Sequence, residues 1–222
     1  MIHIVDHISS TNDWLAKYYS EVDDTIIAIK QSKGKGRRGN TWESQIGGFY
    51  LSTVSSNHKL LPFIVGISIM NVLEKDCKGL NLKWPNDIIL QGKKLGGILC
   101  EDFGDFSIIG IGINFENKPD IDNSTNLISN NILFDKSFFL ASFLYNFDLK
   151  SSLTSEEIIK NFIEYDCLID KEVFWEGSSG IVKSIALDGS LVVESNDKEL
   201  NLYSEEVPVS YTHLTLPTIY SV

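Results

Sequence analysis

The residues best suited to chemistry with an anion are concentrated in one short stretch. Lys30-Gln31-Ser32-Lys33-Gly34-Lys35-Gly36-Arg37-Arg38-Gly39-Asn40-Thr41-Trp42 carries five cations between Lys30 and Arg38. Arg37 and Arg38 are the only arginines of a chain whose formal net charge is -11. Lysine and arginine give charge-assisted hydrogen bonds to phosphate or carboxylate. The interleaved glycines let the backbone come close to a ligand and turn sharply. A cationic, glycine-rich loop in an acidic protein is suited to hold a small anion, although alone it reads more readily as a solvated basic turn.

Three further polar groups bear on that choice. They are Ser10-Thr11-Asn12, Lys83-Trp84-Pro85-Asn86-Asp87 with Lys94, and Asn114 at the end of Gly110-Ile111-Gly112-Ile113-Asn114. Singly each has an ordinary explanation. Ser-Thr-Asn caps a helix, Lys94 is a surface lysine, and Asn114 is a turn residue.

These groups need elements to carry them. Positions 2–8 alternate apolar and polar residues and read as a strand. Ser10 with Asp13 resembles a capping box opening a helix on which Trp14, Leu15, Tyr18, Tyr19 and Val22 share a face. Strands at 25–30 and 47–55 bracket the basic loop. An apolar helix at 61–73 has Pro62 in its first turn, and strands follow at 80–84, 88–90, 94–101 and 106–114. The glycines of the last strand indicate close approach of a neighbour or ligand. Residues 117–131 read as loop with a short helical piece, and 138–149 and 155–165 as amphipathic helices. Beyond position 171 short strands at 173–175, 180–187, 190–194 and 199–203, parted by turns such as Asp188-Gly189, suggest a small β-barrel.

Composition narrows the function classes. A chain of 222 residues, 43% hydrophobic, supports one core of ordinary size and a small satellite. The acidic balance argues against DNA or other nucleic acid as a partner, because that needs a broad basic face. No apolar run reaches a membrane span, and the N-terminus lacks the pattern of a signal peptide. Cys77, Cys100 and Cys167 are an odd count without metal-ligand spacing, so they read as reduced packing thiols, and a cytoplasmic location is expected. The four scattered histidines are given no catalytic role. No metal site is expected in the protein itself.

Taken together and in order, the motifs resemble those of the biotin protein ligases, the biotin–[acetyl-CoA-carboxylase] ligases. The matching residues are Ser10-Thr11-Asn12, Gln31 with Gly34-Lys35-Gly36-Arg37-Arg38-Gly39-Asn40-Thr41-Trp42, and Lys83-Trp84-Pro85-Asn86-Asp87. Lys94-Leu95-Gly96-Gly97-Ile98-Leu99 and Gly110-Ile111-Gly112-Ile113-Asn114 complete them. The resemblance covers residues 1 to about 205. It implies an α+β fold, a mixed β-sheet packed with helices of the class II synthetase-like kind, followed by a small SH3-like β-barrel. The expected division is a catalytic biotin- and ATP-binding domain over 1–170 and a barrel over 171–209. The uncharged segment 210–222 is expected to be an appended non-native tail, the alternative being a native terminal strand.

The resemblance further implies a two-step reaction. Biotin and ATP with Mg2+ give biotinyl-5′-AMP and pyrophosphate, and biotin then passes to a lysine of a biotin carboxyl carrier domain. It assigns Lys94, Arg37 and Asp87 to catalysis, with Asp87 orienting Lys94 or the incoming amine. Ser10, Thr11, Asn12, Gln31, Lys35, Gly36, Arg37, Lys94 and Gly97 are implied for biotin. Arg38, Trp42, Lys83, Asn86 and Asn114 are implied for ATP and the adenylate. Two departures stand out: Lys35 replaces an arginine common in the family loop, and Asn40 replaces another, which removes bidentate contacts. With a strand starting at Ile2, no DNA-binding helix-turn-helix domain is expected ahead of it. A lipoate or octanoate ligase of the same fold is the alternative, and a non-catalytic binding module a more distant one. The oligomeric state is left open, a homodimer included. The loop at 32–41 is expected to be mobile without ligand.

Overall fold

The computed structural model describes residues 1–19, 21–117, 119–203 and 207. The tail expected at 210–222 and most of the closing barrel strand expected near 206–209 lie outside the described residues.

Alternation along the strands builds the first layer. Strands β1 (Ile2–Ile8), β2 (Thr25–Gln31), β3 (Phe49–Ser55), β4 (Leu80–Lys83), β5 (Asp87–Leu90), β6 (Lys93–Asp102) and β7 (Ser107–Ile113) form one sheet in the order β1-β2-β3-β7-β6-β5-β4. β1 and β2 are parallel and every other pair is antiparallel, so the sheet is mixed. At the centre, β7 reads Ser-Ile-Ile-Gly-Ile-Gly-Ile. Successive side chains point to opposite faces. Ile109, Ile111 and Ile113 therefore fill one face, while Gly110 and Gly112 leave the other bare.

The isoleucine face is covered by α2 (Leu61–Leu73), which is apolar on nearly every side and starts with proline in its first turn. Against α2 lie α3 (Lys136–Ser151) and α4 (Ser155–Ile163). Thr154 and Glu157 close a reciprocal capping box at the start of α4. Helix α1 (Thr11–Tyr18) covers part of the bare face, where Leu15 meets Ile26, Val54 and Ile108. It is shorter than its apolar residues suggested. Tyr18, Tyr19 and Val22 are all exposed, so the expected five-residue face reduces to Leu15 as its one fully buried member. The Ser10 hydroxyl accepts from the Asp13 N–H as a cap should, but the Asp13 carboxylate pairs with Lys35 of the basic loop.

Strands β8 (Glu172–Trp175), β9 (Ser178–Ile185), β10 (Leu191–Ser195) and β11 (Lys198–Leu202) form a second, antiparallel sheet. Its interior residues Val173, Val182, Leu191 and Val193 belong to the same hydrophobic cluster as α2 and the first sheet. Two polar contacts reinforce the junction at Trp84. Its indole N–H donates to Gly189 O at 2.9 Å, and its backbone N–H donates to Asp166 at 3.1 Å.

Asp166 also accepts from the N–H groups of Leu168 and Ile169. Burial nevertheless pushes its carboxyl up to about 6, the three N–H groups offsetting only part of the desolvation. A carboxyl raised on folding binds its proton more tightly in the native state. The stability it contributes is therefore greatest near pH 4 and falls as pH rises to about 6, by roughly 3 kcal/mol. Urea unfolding between pH 4 and 7 should show this slope in the wild type and a flatter one in Asp166→Asn. Parallel slopes would refute the assignment.

Candidate active site

A cavity of about 380 Å³ opens on the glycine face of the sheet. One end is built from α1 and its cap. Ser10, Thr11 and Asn12 are buried there, beside Gln31 at the end of β2. The Thr11 N–H and hydroxyl both donate to Gln31 Oε1, at 2.8 and 3.0 Å. Gln31 Nε2 donates to Ser44 Oγ at 2.8 Å. Gly110 makes room for Asn12, since a methyl group at this position would collide with the Asn12 amide.

The basic loop forms one wall. Trp42 N–H donates to Gly34 O, Gly36 N–H donates to Asn40 O, and a 3-10 turn spans Arg37–Gly39. Gly34 is required because a side chain there would run into Trp42 O and Ser44. Three anchors fix the loop over the cavity. Lys35 pairs with Asp13, Arg37 Nη1 donates to Asn86 Oδ1 at 3.1 Å, and the Trp42 indole lies across Gly112 and Gly97. An apolar anchor was not foreseen for this loop, and Trp42 supplies it. Its indole nitrogen is buried against Gly112 and has no hydrogen-bond partner among the described residues.

The other end belongs to the turn after β4. Asn86 is held in one orientation, its Nδ2 donating to Ile98 O while Oδ1 receives Arg37. Asp87 Oδ1 lies 2.7 Å from Lys94 Nζ, which in turn stands 5.6 Å over the Trp42 ring. The Lys94 backbone is pinned between Asn123 O and Thr125 N. Lys83 also lines the cavity.

Thirteen of the fifteen candidate positions are thereby sorted into three groups by place rather than by order in the chain. Ser10, Thr11, Asn12 and Gln31 line the first end. Lys35, Gly36, Arg37 and Trp42 line the wall, and Lys83, Asn86, Asp87, Lys94 and Gly97 the second end. Arg38 is exposed at φ 54° and is not among the lining residues. Asn114 is buried beneath the cavity, donating to Thr125 O at 3.1 Å and so bracing the segment that holds Lys94. Ser52 and Glu101 were missed by sequence reasoning. Both stand on the glycine face, at positions in step with Gly110 and Gly97, and that alternation was the available signal. The thiols behave as packing groups, burial pushing Cys77 and Cys167 up to about 11 and Cys100 up to about 12. No group of three His, Cys, Asp or Glu residues placed to hold a metal ion occurs among the described residues, and no helix there is long and apolar enough to cross a membrane.

A hydrogen-bonding recess that leads to a cluster of cations is suited to a small molecule with a polar head and an anionic end. The chain belongs to the biotin/lipoate A/B protein ligase family, whose family model matches residues 5–114. It is 30% identical to the bifunctional ligase/repressor BirA of Escherichia coli, over 88% of this chain and 70% of that protein. It is 32% identical to biotin–protein ligase 2 of Arabidopsis thaliana, over 50% of this chain and 40% of the plant protein. The fold matches that of the biotin protein ligase from Aquifex aeolicus in complex with biotin and ATP, with TM-score 0.83 and 26% identity, over 94% of this chain and 97% of that one. A Leishmania major biotin protein ligase solved with biotinyl-5-AMP is similar at TM-score 0.66 and 25% identity, over 91% and 98%.

Gly112→Ala should drive the Trp42 indole off its bed while leaving β7 intact. Acrylamide should then quench tryptophan fluorescence more strongly in Gly112→Ala than in the wild type. The same change made in a Trp42→Phe background should add nothing. Equal quenching in the first pair would overturn the placement of Trp42.

Proposed function

We propose that this chain is an ATP-dependent biotin–[acetyl-CoA-carboxylase] ligase. It activates biotin with MgATP to biotinyl-5′-AMP, releasing pyrophosphate, and passes the biotinyl group to a lysine of a biotin carboxyl carrier domain. The observation that carries this reading is the convergence of the hydrogen-bonding recess, Trp42 and the Lys94–Asp87 pair on one cavity.

In the first step a biotin carboxylate oxygen attacks the α-phosphorus and the bond to the pyrophosphate oxygen breaks. Two anions must be brought into line, so rate comes from positioning and from cations aimed at the developing charge. Lys94 is a point charge for the carboxylate and the acyl phosphate, steadied by Asp87. Arg37, steadied by Asn86, is a planar donor for the same oxygens. Ser10, Thr11, Asn12 and Gln31 hold the head of biotin, while Lys35, Gly36 and Gly97 flank its tail. Trp42, Lys83 and Asn86 face the nucleotide, Asn114 acts by bracing Lys94, and Arg38 adds charge at the mouth. Mg2+ enters with ATP as part of the substrate. In the second step the carrier lysine amine attacks the acyl carbon, AMP leaves, and the amine sheds its proton.

The remaining parts of the proposal follow the same reading. Residues 1–170 form the catalytic unit and 171–209 an accessory barrel. The protein acts in the cytoplasm, without DNA, as a monomer or homodimer. A lipoate or octanoate substrate is the second reading. The buried polar recess favours biotin over it, because neither a dithiolane nor an alkyl chain makes hydrogen bonds with those groups.

Conversion of ATP to AMP and pyrophosphate only when biotin is present tests the function. Lys94→Ala should slow that release on the order of 10²-fold or more with the fold retained, and near wild-type release would remove Lys94 from catalysis. Trypsin should cleave the unliganded protein at Arg37 and Arg38 and act much more slowly once biotinyl-AMP has formed. Equal rates would show that the loop does not close on the intermediate.

A further inference from the structure

Glu101 on β6 lies outside the residues assigned above, yet it terminates the hydrogen-bond chain of the recess. Asn12 Nδ2 donates to Glu101 Oε2 at 2.6 Å. Ser52 Oγ stands 2.5 Å from Asn12 Oδ1 and 2.7 Å from Thr11 Oγ1. The Thr11 hydroxyl continues to Gln31 Oε1 at 3.0 Å. Ser52 and Asn12 are buried at 0% and 4% exposure, so water does not relax the arrangement. Only the two ends of this chain have a single chemical role. The Thr11 backbone N–H can only donate, which forces Gln31 to present its oxygen. The Glu101 carboxylate can only accept, which forces Asn12 to present its amino group outward and its oxygen inward. Each of the two amides could otherwise present either its oxygen or its amino group, whereas the Ser52 and Thr11 hydroxyls share two protons among three oxygen–oxygen contacts and adapt to the amides.

We infer that Glu101 is a positioning residue that determines specificity: it fixes the Asn12 amide with its oxygen toward Ser52, so the two amides of the recess offer one set pattern of donors and acceptors to the head of the acid. A ureido ring, which carries a carbonyl acceptor and two N–H donors, requires such a fixed pattern. An alkyl or dithiolane head forms no hydrogen bond with it. This rests on the biotin reading of the site. Lys35 also approaches Glu101, its Nζ lying 3.8 Å from Oε1, but the bond to Asn12 uses the other oxygen. The polarity of the recess and the tether of the loop are therefore separable.

Glu101→Gln keeps size and shape and removes the constraint, because an amide can meet Asn12 with either face. Acid-dependent pyrophosphate release would be measured with biotin and with octanoate. Relative to the wild type, the variant should raise KM for biotin about tenfold and leave KM for ATP within about twofold. The ratio of kcat/KM for biotin to that for octanoate should fall by about the same tenfold. Asp13→Asn removes the principal partner of Lys35 and leaves Glu101 with Asn12, so it should not change that ratio. An unchanged ratio in Glu101→Gln overturns the inference while leaving the ligase reading in place. Equal losses on both acids and on ATP, with a lower melting temperature, reduce Glu101 to a structural part and also overturn it, as does an equal change of ratio in Asp13→Asn. A wild-type chain that turns over neither acid overturns both readings.

Discussion

The site depends on steric room at two glycines. On the face of β7 that carries Gly110 and Gly112, side chains borne by other segments rest directly on the backbone: the Asn12 amide on the first, the Trp42 indole on the second. Gly97, paired with Gly112 in the neighbouring strand, extends the bed under the indole. A single methyl group at Gly110 or Gly112 would lift its partner. The opposite face of the same strand is filled with isoleucine and packed in the core. One strand thus anchors the hydrophobic interior and provides the floor of the cavity, and its rigidity fixes how far the two ends of the cavity stand apart.

Charge is distributed with the same economy. In a chain of net charge -11, Lys35, Arg37 and Lys94 at the cavity are each matched to a neutral or anionic neighbour that sets their direction. Arg37 is aimed by Asn86, whose own amide is held by Ile98 O, and Lys94 is aimed by Asp87 and stacked over Trp42. Coupling of this kind matters because a flexible lysine loses rotamer freedom on binding, and a partner already in place lowers that cost. Lys35 differs. Its ion pair with Asp13 lies at the surface, and such pairs are weak and screened by salt. The loop is held by one exposed contact and two sheltered ones.

Much of this was legible in the sequence because it rests on local rules. Strand alternation, the proline at the start of α2 and the paired motifs each follow from backbone preference or spacing. The grouping of Ser10, Thr11, Asn12 and Gln31 with the basic loop was legible from their motifs in order. What was not legible depended on contacts between distant segments. The length of α1 was overestimated because Tyr18 and Tyr19 supply an apolar period without a surface to bury it. Asp13 was read as a cap partner because only its neighbours in sequence were in view; Lys35 is brought to it by the fold. Trp42 was expected near a ligand rather than on bare strand, since only pairing between β6 and β7 reveals which glycines are adjacent. Asn114 was read as a contact and lies one layer below, and Glu101 follows its motif by two residues and becomes meaningful only beside Asn12.

The position of β7 in the sheet has a kinetic consequence. It is inserted between β3 and β6, and its pairing with β3 joins Phe49 to Ile113 and Ser55 to Ser107. All the chain between those strands, including α2, β4 and β5, must be looped out before that ladder can zip. Hairpins such as β4–β5 and β6–β7 can form early from near neighbours, whereas closure across a long loop is slow. Asn12 and Trp42 have no bed until that closure occurs. Binding competence should therefore await this long-range event of folding. During synthesis, a ribosome-bound chain would be unable to complete the cavity until β7 had cleared the exit tunnel, however completely its first hundred residues had organised.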